Sequence, residues 1–352
     1  MPFRQPARTA ARGTRITVYR RRRRTLLGTV LALLLAVAAL AALPHLLDGK
    51  ARTPTTNRTA IRTLTSSINR APGTSRQAVT WPQQGQAALV LGGGRPAASP
   101  HEVPVPIASV AKVMTAYLTL ERYPLSVTQA GFTMTVTEDQ AQDAAQDAAQ
   151  NQSRVPVQPG EQLTERQLLE ALLIPSGNNI AEILAGMVAG SEARFLAEMN
   201  AEARALGMDH TIYTDPSGFD PSTVSTAADQ LRVFQRAMRF AVFRQIVSMP
   251  SVTLPVAGTL TNYDPLIVAG YAGKTGSDSA AGGCLAFFTN VTVAGREQTA
   301  VGVVLGQGQG DDTSMLLGAA GDAVEQLVAS VDAEGRVRTL PPPGAPRGAP
   351  DS

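Results

Sequence analysis

An uncharged apolar run of 18 residues, Leu26 to Leu43, constrains the topology of this 352-residue chain more than any other feature. A helix of that length can cross the hydrocarbon core of a bilayer. Arg20 to Arg24 directly precede the run, and positive charges so placed stay on the cytoplasmic side. The sequence therefore predicts a cytoplasmic Arg-rich segment at 1–24, a single transmembrane signal anchor at 25–47 and an extracytoplasmic location for everything after it.

A cleaved signal peptide is the alternative interpretation of this segment. Ala36-Val37-Ala38 and Ala39-Leu40-Ala41 both fit a small-residue cleavage site. The length of the run favours an uncleaved anchor, because the apolar part of a signal peptide has only about 7–15 residues. The single cysteine, Cys284, lies far from the run, so neither a lipoprotein anchor nor an intramolecular disulfide is expected.

Composition divides the rest of the chain into three parts. Residues 48–85 are rich in Thr, Ser, Arg, Asn, Gln and Pro, which is typical of an extended linker. A globular pattern covers residues 86–333, and the Pro/Gly-rich tail at 334–352 is expected to be disordered. Residues 25–352 contain 22 basic and 28 acidic side chains, so no nucleic-acid partner is expected.

The order of elements in the globular part predicts an α/β fold of layered α+β type. One buried strand, Ala87 to Leu91, is followed by several helical segments. Strand patterns begin at Val252, and an amphipathic helix at 316–331 closes the region. We therefore expect an antiparallel sheet that takes strands from both ends of the region, flanked by helices and accompanied by a helical lobe.

Lysine is rare in this chain, with 3 Lys against 28 Arg. Because Lys can lose its proton in a suitable site and Arg cannot, Lys112 and Lys274 are candidate functional residues. Lys112 ends the motif Ser109-Val110-Ala111-Lys112, and residues three apart share a helix face, so the ammonium can reach the Ser109 hydroxyl. Apolar neighbours predict burial, which would lower the pKa of Lys112 and suit it to act as a base. By itself the motif is also compatible with a solvated pair on an ordinary helix.

Two further motifs follow. Ser176-Gly177-Asn178, just after a helix stop at Pro175, places a hydroxyl and an amide on a loop, although the same residues are common in a simple N-cap loop. Lys274-Thr275-Gly276 lies in a strand-like segment, where Gly276 leaves room for a ligand to approach the backbone. Lys274 and Thr275 supply a positive charge and a hydroxyl for a carboxylate. A turn between strands is the alternative, and the Walker A pattern is absent.

The three motifs occur in the order S-x-x-K, S-x-N, K-T-G, which resembles the penicillin-binding protein and serine β-lactamase superfamily. Their flanks, IASVAKVMTAYLTLE, IPSGNNIAEILA, the segment from Asp215 to Phe219 and GKTGSDSAAGGCLAF, are similar to low-molecular-mass D-alanyl-D-alanine carboxypeptidases of peptidase family S11. The resemblance covers roughly residues 78–330. It implies a β-lactamase/transpeptidase-like fold, no cofactor and no metal.

The resemblance also implies the chemistry of the site. The enzyme would remove the terminal D-alanine from a peptidoglycan stem peptide ending in D-Ala-D-Ala, and β-lactams would inhibit it. Ser109 would form the acyl-enzyme, and the backbone N–H groups of Ser109 and Ser277 would form the oxyanion hole. The expected catalytic residues are Ser109, Lys112 and Ser176, and the expected substrate-binding residues are Asn178, Lys274, Thr275, Gly276 and Ser277.

The chain departs from the family pattern at three points. Ala111 stands where the family usually has Thr, and Ser277 where many relatives have an aromatic residue or His. The chain also ends before the second, β-rich domain and the C-terminal anchor of some relatives, so the N-terminal helix is expected to anchor it. These departures put fine substrate preference in doubt.

Alternative functions are a class A-like β-lactamase, a DD-endopeptidase, or a wall module that binds penicillin without turnover. The β-lactamase is disfavoured because no suitable Glu-x-x-x-Asn segment lies between Asn178 and Lys274. A Ser-His-Asp hydrolase is disfavoured because G-x-S-x-G is absent and His101 and His210 lie in surface-like contexts. No histidine pair has the spacing of a zinc peptidase site.

Overall fold

The structure is a computed structural model, and it describes residues 79–149, 152–293 and 295–331. The strands are β1 (Gln86–Leu91), β2 (Ala97–Ala98), β3 (Val105–Pro106), β4 (Thr133–Thr135), β5 (Gln162–Thr164), β6 (Val224–Ser225), β7 (Ser251–Leu254), β8 (Gly258–Thr261), β9 (Ala272–Asp278), β10 (Gly282–Val293) and β11 (Arg296–Gln307). The helices are α1 (Lys112–Arg122), α2 (Glu138–Ala149), α3 (Glu165–Leu173), α4 (Asn178–Ala189), α5 (Glu192–Ala205), α6 (Ala227–Ala237), α7 (Ala241–Val247) and α8 (Thr313–Ala329). A 3-10 turn, Ala108–Ala111, leads directly into α1.

A five-stranded antiparallel sheet in the order β2-β1-β11-β10-β9 forms the centre of the fold. Gln86 pairs with Leu305, so the first strand is hydrogen-bonded to the last one. Strand β9 lies at an edge and pairs with β10 along its whole length. The predicted fold class is confirmed, including the contribution of both chain ends to one sheet.

Two apolar clusters cover the two faces of the sheet. On one face, Phe287 and Val304 of the sheet pack against Val324 and Leu327 of α8. On the other face, the larger cluster joins Val303 and Leu305 to α6 and to the remaining helices. Burial on both faces explains why β10 and β11 carry nearly continuous apolar sequence at their centres, instead of a strict alternation.

Helices α1, α3, α4, α5 and α7 form the helical lobe. A capping box starts α3: the Thr164 hydroxyl accepts from the Gln167 amide, and the Gln167 side chain accepts from the Thr164 amide. Helix α1 packs against α4 and α6, while the 3-10 turn before it contacts β9 and β10. Ser109 therefore lies at the seam between sheet and lobe, as predicted.

Two features differ from the pattern read in the sequence. The sequence pattern predicts one helix at 226–240, whereas α6 ends earlier, at Ala237, and a further helix that was not predicted, α7, starts at Ala241 after a turn at Met238. Of the hairpin formed by β7 and β8, only β7 was predicted. Strand β8, which begins at Gly258, is short and polar, so its sequence does not indicate a strand.

The predicted segments at 1–24, 25–47 and 334–352, and the linker up to residue 78, lie outside the described residues. Within the described part of the chain, every helix is too short or too polar to span a bilayer. The predicted domain boundaries therefore stay predictions.

Candidate active site

The backbone around Ser109 is held from two sides. Ala108 has a φ of +44°, a left-handed conformation that L-residues adopt only under constraint. A Cβ atom on Gly218 would overlap the carbonyl oxygen of Ala108, so only glycine permits this approach. From the sheet side, a Cβ on Gly276 would lie 2.9 Å from the amide nitrogen of Ser109. The gap that Gly276 was expected to leave for a ligand is thus filled largely by the turn that carries Ser109.

Lys112 contacts Ser109 directly, as predicted. Its Nζ donates to Ser109 Oγ at 2.8 Å, to Asn178 Oδ1 at 2.6 Å and to the carbonyl oxygen of Ser217 at 3.1 Å. The side chain is fully buried, and these three partners come from three different segments of the chain. The 3-10 turn before α1, the start of α4 and the 215–219 loop therefore fix the position of the Lys112 nitrogen.

Burial changes the acidity of this lysine. Desolvation, followed by the like charge of Lys274, lowers the pKa of Lys112 well below its ordinary value. The negative charges of Asp215 and Glu182 raise the pKa of Lys112, but by less than burial and Lys274 lower it. The expected lowering of the Lys112 pKa is confirmed, and its main cause is the one predicted from its apolar neighbours.

Asp215 organises the loop that supplies the third partner of Lys112. Its carboxylate accepts from the backbone amides of Ser217 and Phe219 and from the hydroxyls of Ser217 and Thr223. On the same loop, the carbonyl of Pro216 accepts from Thr115 of α1 at 2.6 Å. The loop is therefore tied to the helix that carries Lys112.

The second motif lies beside the first. Ser176 has a φ of +65°, and its hydroxyl is 5% exposed with no hydrogen-bond partner among the residues that the structure describes. Asn178 starts α4, receives the Lys112 ammonium on Oδ1 and donates from Nδ2 to Gln152 at 2.8 Å. A strained backbone that carries a buried hydroxyl without a partner is a common feature of functional sites.

The third motif lies on β9, as predicted. Lys274 is fully buried, and its Nζ donates to the carbonyl oxygen of Thr275 at 2.8 Å. Thr275, Gly276 and Ser277 line a cavity of about 210 Å³ together with Ser109 and Ser176. The structure therefore brings residues from all three motifs to one opening.

The charge state of Lys274 differs from the expectation. We expected an ordinary, fully charged ammonium, but burial lowers the pKa of Lys274 to about 7, and Asp264 partly offsets that effect. The reason is that the K-T-G strand lies between the lobe and α8, where the ammonium is shielded from water. Burial therefore lowers the pKa of both lysines of the site.

A second, larger cavity of about 460 Å³ adjoins the first and shares Ser109, Ser153 and Ser277 with it. Asn178 lines it on one side, and Asp278 and Asp311 line it on another. The two cavities together form a groove with Ser109 on its wall.

Sequence reasoning missed several residues around this groove. Gln152 and Ser153 follow a low-complexity helix and have no motif of their own, yet the Ser153 carbonyl accepts from the Asn178 amide at 2.7 Å. Tyr263, on the loop between β8 and β9, lines the smaller cavity, and Thr313, the first residue of α8, lines both cavities. The positions of these four residues depend on tertiary packing, so no local sequence signal indicated them. His101 and His210 are exposed, as expected.

An antiparallel sheet, a helical lobe and, at their seam, a cavity-lining serine bonded to a buried lysine define the class of active-site serine proteins that recognise penicillins. The chain belongs within that class to the D-alanyl-D-alanine carboxypeptidase family, peptidase family S11, whose sequence profile matches residues 97–308.

Individual relatives agree with this family. The chain is 37% identical over 185 residues to a D-alanyl-D-alanine carboxypeptidase of Mycobacterium tuberculosis, covering 50% of this chain and 59% of that protein. It is 33% identical over 151 residues to a D-alanyl-D-alanine endopeptidase of Pseudomonas aeruginosa, covering 43% of this chain and 45% of that protein. The match thus spans only about half the length of these curated relatives.

Solved structures show the same fold. The DD-transpeptidase of Streptomyces K15 superposes with a TM-score of 0.60 at 24% identity, covering 72% of this chain and 98% of that one. A penicillin-binding protein homologue of Mycobacterium tuberculosis superposes with a TM-score of 0.56 at 29% identity, covering 70% and 93%. The β-lactamase/transpeptidase-like fold predicted from the motifs is therefore confirmed.

Proposed function

We propose that this protein is a serine-type D-Ala-D-Ala carboxypeptidase that removes the terminal D-alanine from peptidoglycan stem peptides. The observation that carries the proposal is the 2.8 Å contact between Ser109 Oγ and the Nζ of the fully buried Lys112. A hydroxyl needs an adjacent base to become a nucleophile, and a lysine with a lowered pKa can be that base.

The contacts of Lys112 define how the proton moves. In the neutral amine, two N–H groups remain for Asn178 Oδ1 and the Ser217 carbonyl, so the lone pair is left for Ser109. As Ser109 Oγ bonds to the carbonyl carbon between the two D-alanines, its proton passes to Lys112. The resulting ammonium is held by the same two oxygens, which reduces reorganisation during the step.

Ser176 is proposed to deliver a proton to the leaving amine. Its hydroxyl has a free donor among the described residues and lines the same cavity as Ser109. When the C–N bond breaks, the amine of D-alanine takes the Ser176 proton, and Ser176 recovers one from Lys112. The backbone N–H groups of Ser109 and Ser277 stabilise the oxyanion, each contributing about 3–4 kcal/mol in related chemistry.

The substrate carboxylate is proposed to bind at Lys274 and Thr275 on β9. A carboxylate that reaches Lys274 brings a negative charge next to a buried amine whose pKa is about 7, and so favours its charged form. Asn178 and Gly276 border the peptide along the groove.

Water then attacks the ester on Ser109, the C–O bond breaks, and the shortened peptide leaves. A β-lactam enters the same site and acylates Ser109 without a departing amine.

The test combines labelling and turnover. Wild-type protein should bind a fluorescent penicillin covalently at Ser109 and release D-alanine from a D-Ala-D-Ala peptide. Ser109→Ala should lose both activities, whereas the exposed Ser222→Ala should keep both. Labelling of Ser109→Ala would exclude Ser109 as the nucleophile. Labelling of the wild type without release of D-alanine would instead favour a wall module that binds penicillin without turnover.

A DD-endopeptidase is the second candidate, because one relative carries that name. Both activities act on D-alanyl bonds, so the same residues serve either. Turnover of a cross-linked muropeptide at a rate equal to or above that of the free pentapeptide would favour the endopeptidase.

We further propose that the domain is held on the outer face of the cytoplasmic membrane by residues 25–47. The arginines before the apolar run and the length of that run support this arrangement. Cell fractionation and sequencing of the mature N-terminus test it. A soluble exported form that starts near Ala42 would refute the anchor and leave export intact.

A further inference from the structure

A short segment outside the three motifs, residues 152–155, is fastened to the start of α4. The Ser153 carbonyl accepts from the Asn178 amide at 2.7 Å. The Asn179 side chain is 2% exposed; it accepts from the Val155 amide and donates to the Val155 carbonyl, both at 3.0 Å. The backbone of the segment is therefore fixed relative to α4 without help from its first side chain.

That first side chain belongs to Gln152, which reaches the catalytic end of α4. Asn178 is 3% exposed; its Nδ2 donates to Gln152 Oε1 at 2.8 Å, and its Oδ1 accepts from Lys112 Nζ at 2.6 Å. The buried amide of Asn178 is thus held at both ends, by Lys112 at the oxygen and by Gln152 at the nitrogen. Gln152 itself lines the larger cavity, which Ser109 also lines.

The orientation of the Asn178 amide matters because a neutral amine accepts a hydrogen bond as well as donating one. If the amide turned over, its N–H would face Lys112 and occupy the lone pair that has to take the Ser109 proton. The ammonium formed by that transfer would also face a donor in place of an acceptor. Turning the amide over would, however, place Asn178 Oδ1 against Gln152 Oε1, and two acceptor oxygens cannot bond to each other.

We propose that Gln152 is a positioning residue that keeps the oxygen of Asn178 turned toward Lys112. Its contact is with Asn178, and its effect on Lys112 passes through that amide. The lone pair of the neutral amine is thereby left for Ser109, and the ammonium that follows meets an acceptor. This inference rests on the proposed function, because it concerns the base that activates Ser109.

The first test removes the acceptor with little change of size. Gln152→Leu should slow acylation by a fluorescent penicillin about fivefold to tenfold, the ratio that the loss of one hydrogen bond produces. Gln158→Leu is the matched control, at an exposed glutamine in the same loop, and should keep the wild-type rate. Tm is measured on the same samples.

A second background separates positioning from a general structural role. In Asn178→Ala protein, Gln152→Leu should change the acylation rate by less than about twofold, because no amide remains to be oriented. If Gln152 only supported the loop, its replacement would lower the rate by the same factor in both backgrounds and would lower Tm as well.

Two charged variants decide the question even where Asn178→Ala reacts too slowly to follow. Gln152→Glu can only accept, so it keeps the Asn178 amide in the observed orientation. Gln152→Arg can only donate, so it favours the reversed orientation. The charge effects run the other way, because a carboxylate near Lys112 raises its pKa and a guanidinium lowers it. Orientation and charge therefore predict opposite rankings of the two variants.

The rates of these variants are measured from pH 7 to pH 10. At pH 10 the lowered pKa leaves Lys112 neutral, and orientation alone should separate them. Gln152→Glu should there reach the wild-type rate, whereas Gln152→Arg should stay about tenfold below it. The other charges that act on Lys112, those of Lys274, Asp215 and Glu182, are the same in every variant, so each rate is compared with the wild type at the same pH.

The outcomes are distinct from those that test the proposed function. A wild type that penicillin does not acylate at Ser109 refutes the function itself. With an active wild type, three results overturn the role of Gln152: a wild-type rate in Gln152→Leu, an equal loss in the Asn178→Ala background, or a Gln152→Arg protein faster than Gln152→Glu at pH 10.

Discussion

Replacing Gly276 by alanine tests whether the sheet sets the position of the nucleophile. The new Cβ would lie 2.9 Å from the Ser109 amide nitrogen, 3.0 Å from that of Val110 and 3.1 Å from the Ile107 carbonyl oxygen. All three are backbone atoms, so no side-chain rotation relieves the overlap. The 3-10 turn has to move away from β9 by several tenths of an ångström.

The size of the effect follows from two estimates. Overpacking of this kind costs about 1–3 kcal/mol, and one kcal/mol corresponds to about 2–4 °C in Tm for a domain of this size. A displacement of about 1 Å in a reacting group can cost on the order of a hundredfold in rate. A shift of about half that size at Ser109 should therefore reduce acylation by tenfold or more, with only a moderate loss of Tm.

The assay is the second-order rate constant for acylation by a fluorescent penicillin, measured with Tm on the same samples. Gly186→Ala is the matched control, because Gly186 lies in α4 and a Cβ there would have no neighbour within 4 Å. That variant should keep the rate and gain about 0.5–1 kcal/mol of stability. A Gly276→Ala protein acylated at the wild-type rate would refute the reasoning.

Substitutions at three other positions test the site and the lobe. Lys112→Arg should lose penicillin labelling almost completely while remaining folded, since a guanidinium cannot accept the Ser109 proton; substantial labelling would contradict the base. Ser176→Gly and Ser176→Ala should both impair D-alanine release, but the glycine variant should be more stable by about 1 kcal/mol because it relieves the positive φ, as a comparison of denaturant midpoints would show. Burial raises the pKa of Glu165 to about 7, so its contribution to stability is full below pH 4.5 and is lost as pH rises through about 7. Glu165→Gln should therefore show a smaller fall in Tm between pH 6 and pH 8, and an unchanged fall would count against a buried neutral carboxyl.

Much of the site could be predicted from the sequence, because its chemistry depends on rare residues in short motifs. Lys112 and Lys274 stood out only because the chain otherwise uses arginine, and the three-residue spacing from Ser109 to Lys112 sets a contact through helix geometry alone. Strands β1, β9, β10 and β11 of the sheet followed from apolar strand patterns at both ends of the region, whereas the short exposed strand β2 was not predicted.

What the sequence could not show depends on long-range packing. Asp264 has no motif, and its burial arises from the path of a loop that α8 holds in place. The lowered pKa of Lys274 was missed for the same reason, since the strand pattern does not reveal how deeply β9 is covered. The left-handed backbone of Ser176 is equally invisible, because serine gives no sign of a positive φ.

The pairing of the first strand with the last one has a consequence for biosynthesis. Gln86 meets Leu305, and the Thr80 amide donates to the Ser330 hydroxyl across 250 positions of sequence. A chain synthesised from its N-terminus cannot complete the sheet until β11 has emerged, so the edge of β1 that pairs with β11 stays unpaired until then. Since Thr80 and Ser330 touch in the fold, joining the chain near these two residues by a short linker and opening it in an exposed loop of the lobe should give a circular permutant that folds with β1 and β11 already neighbours.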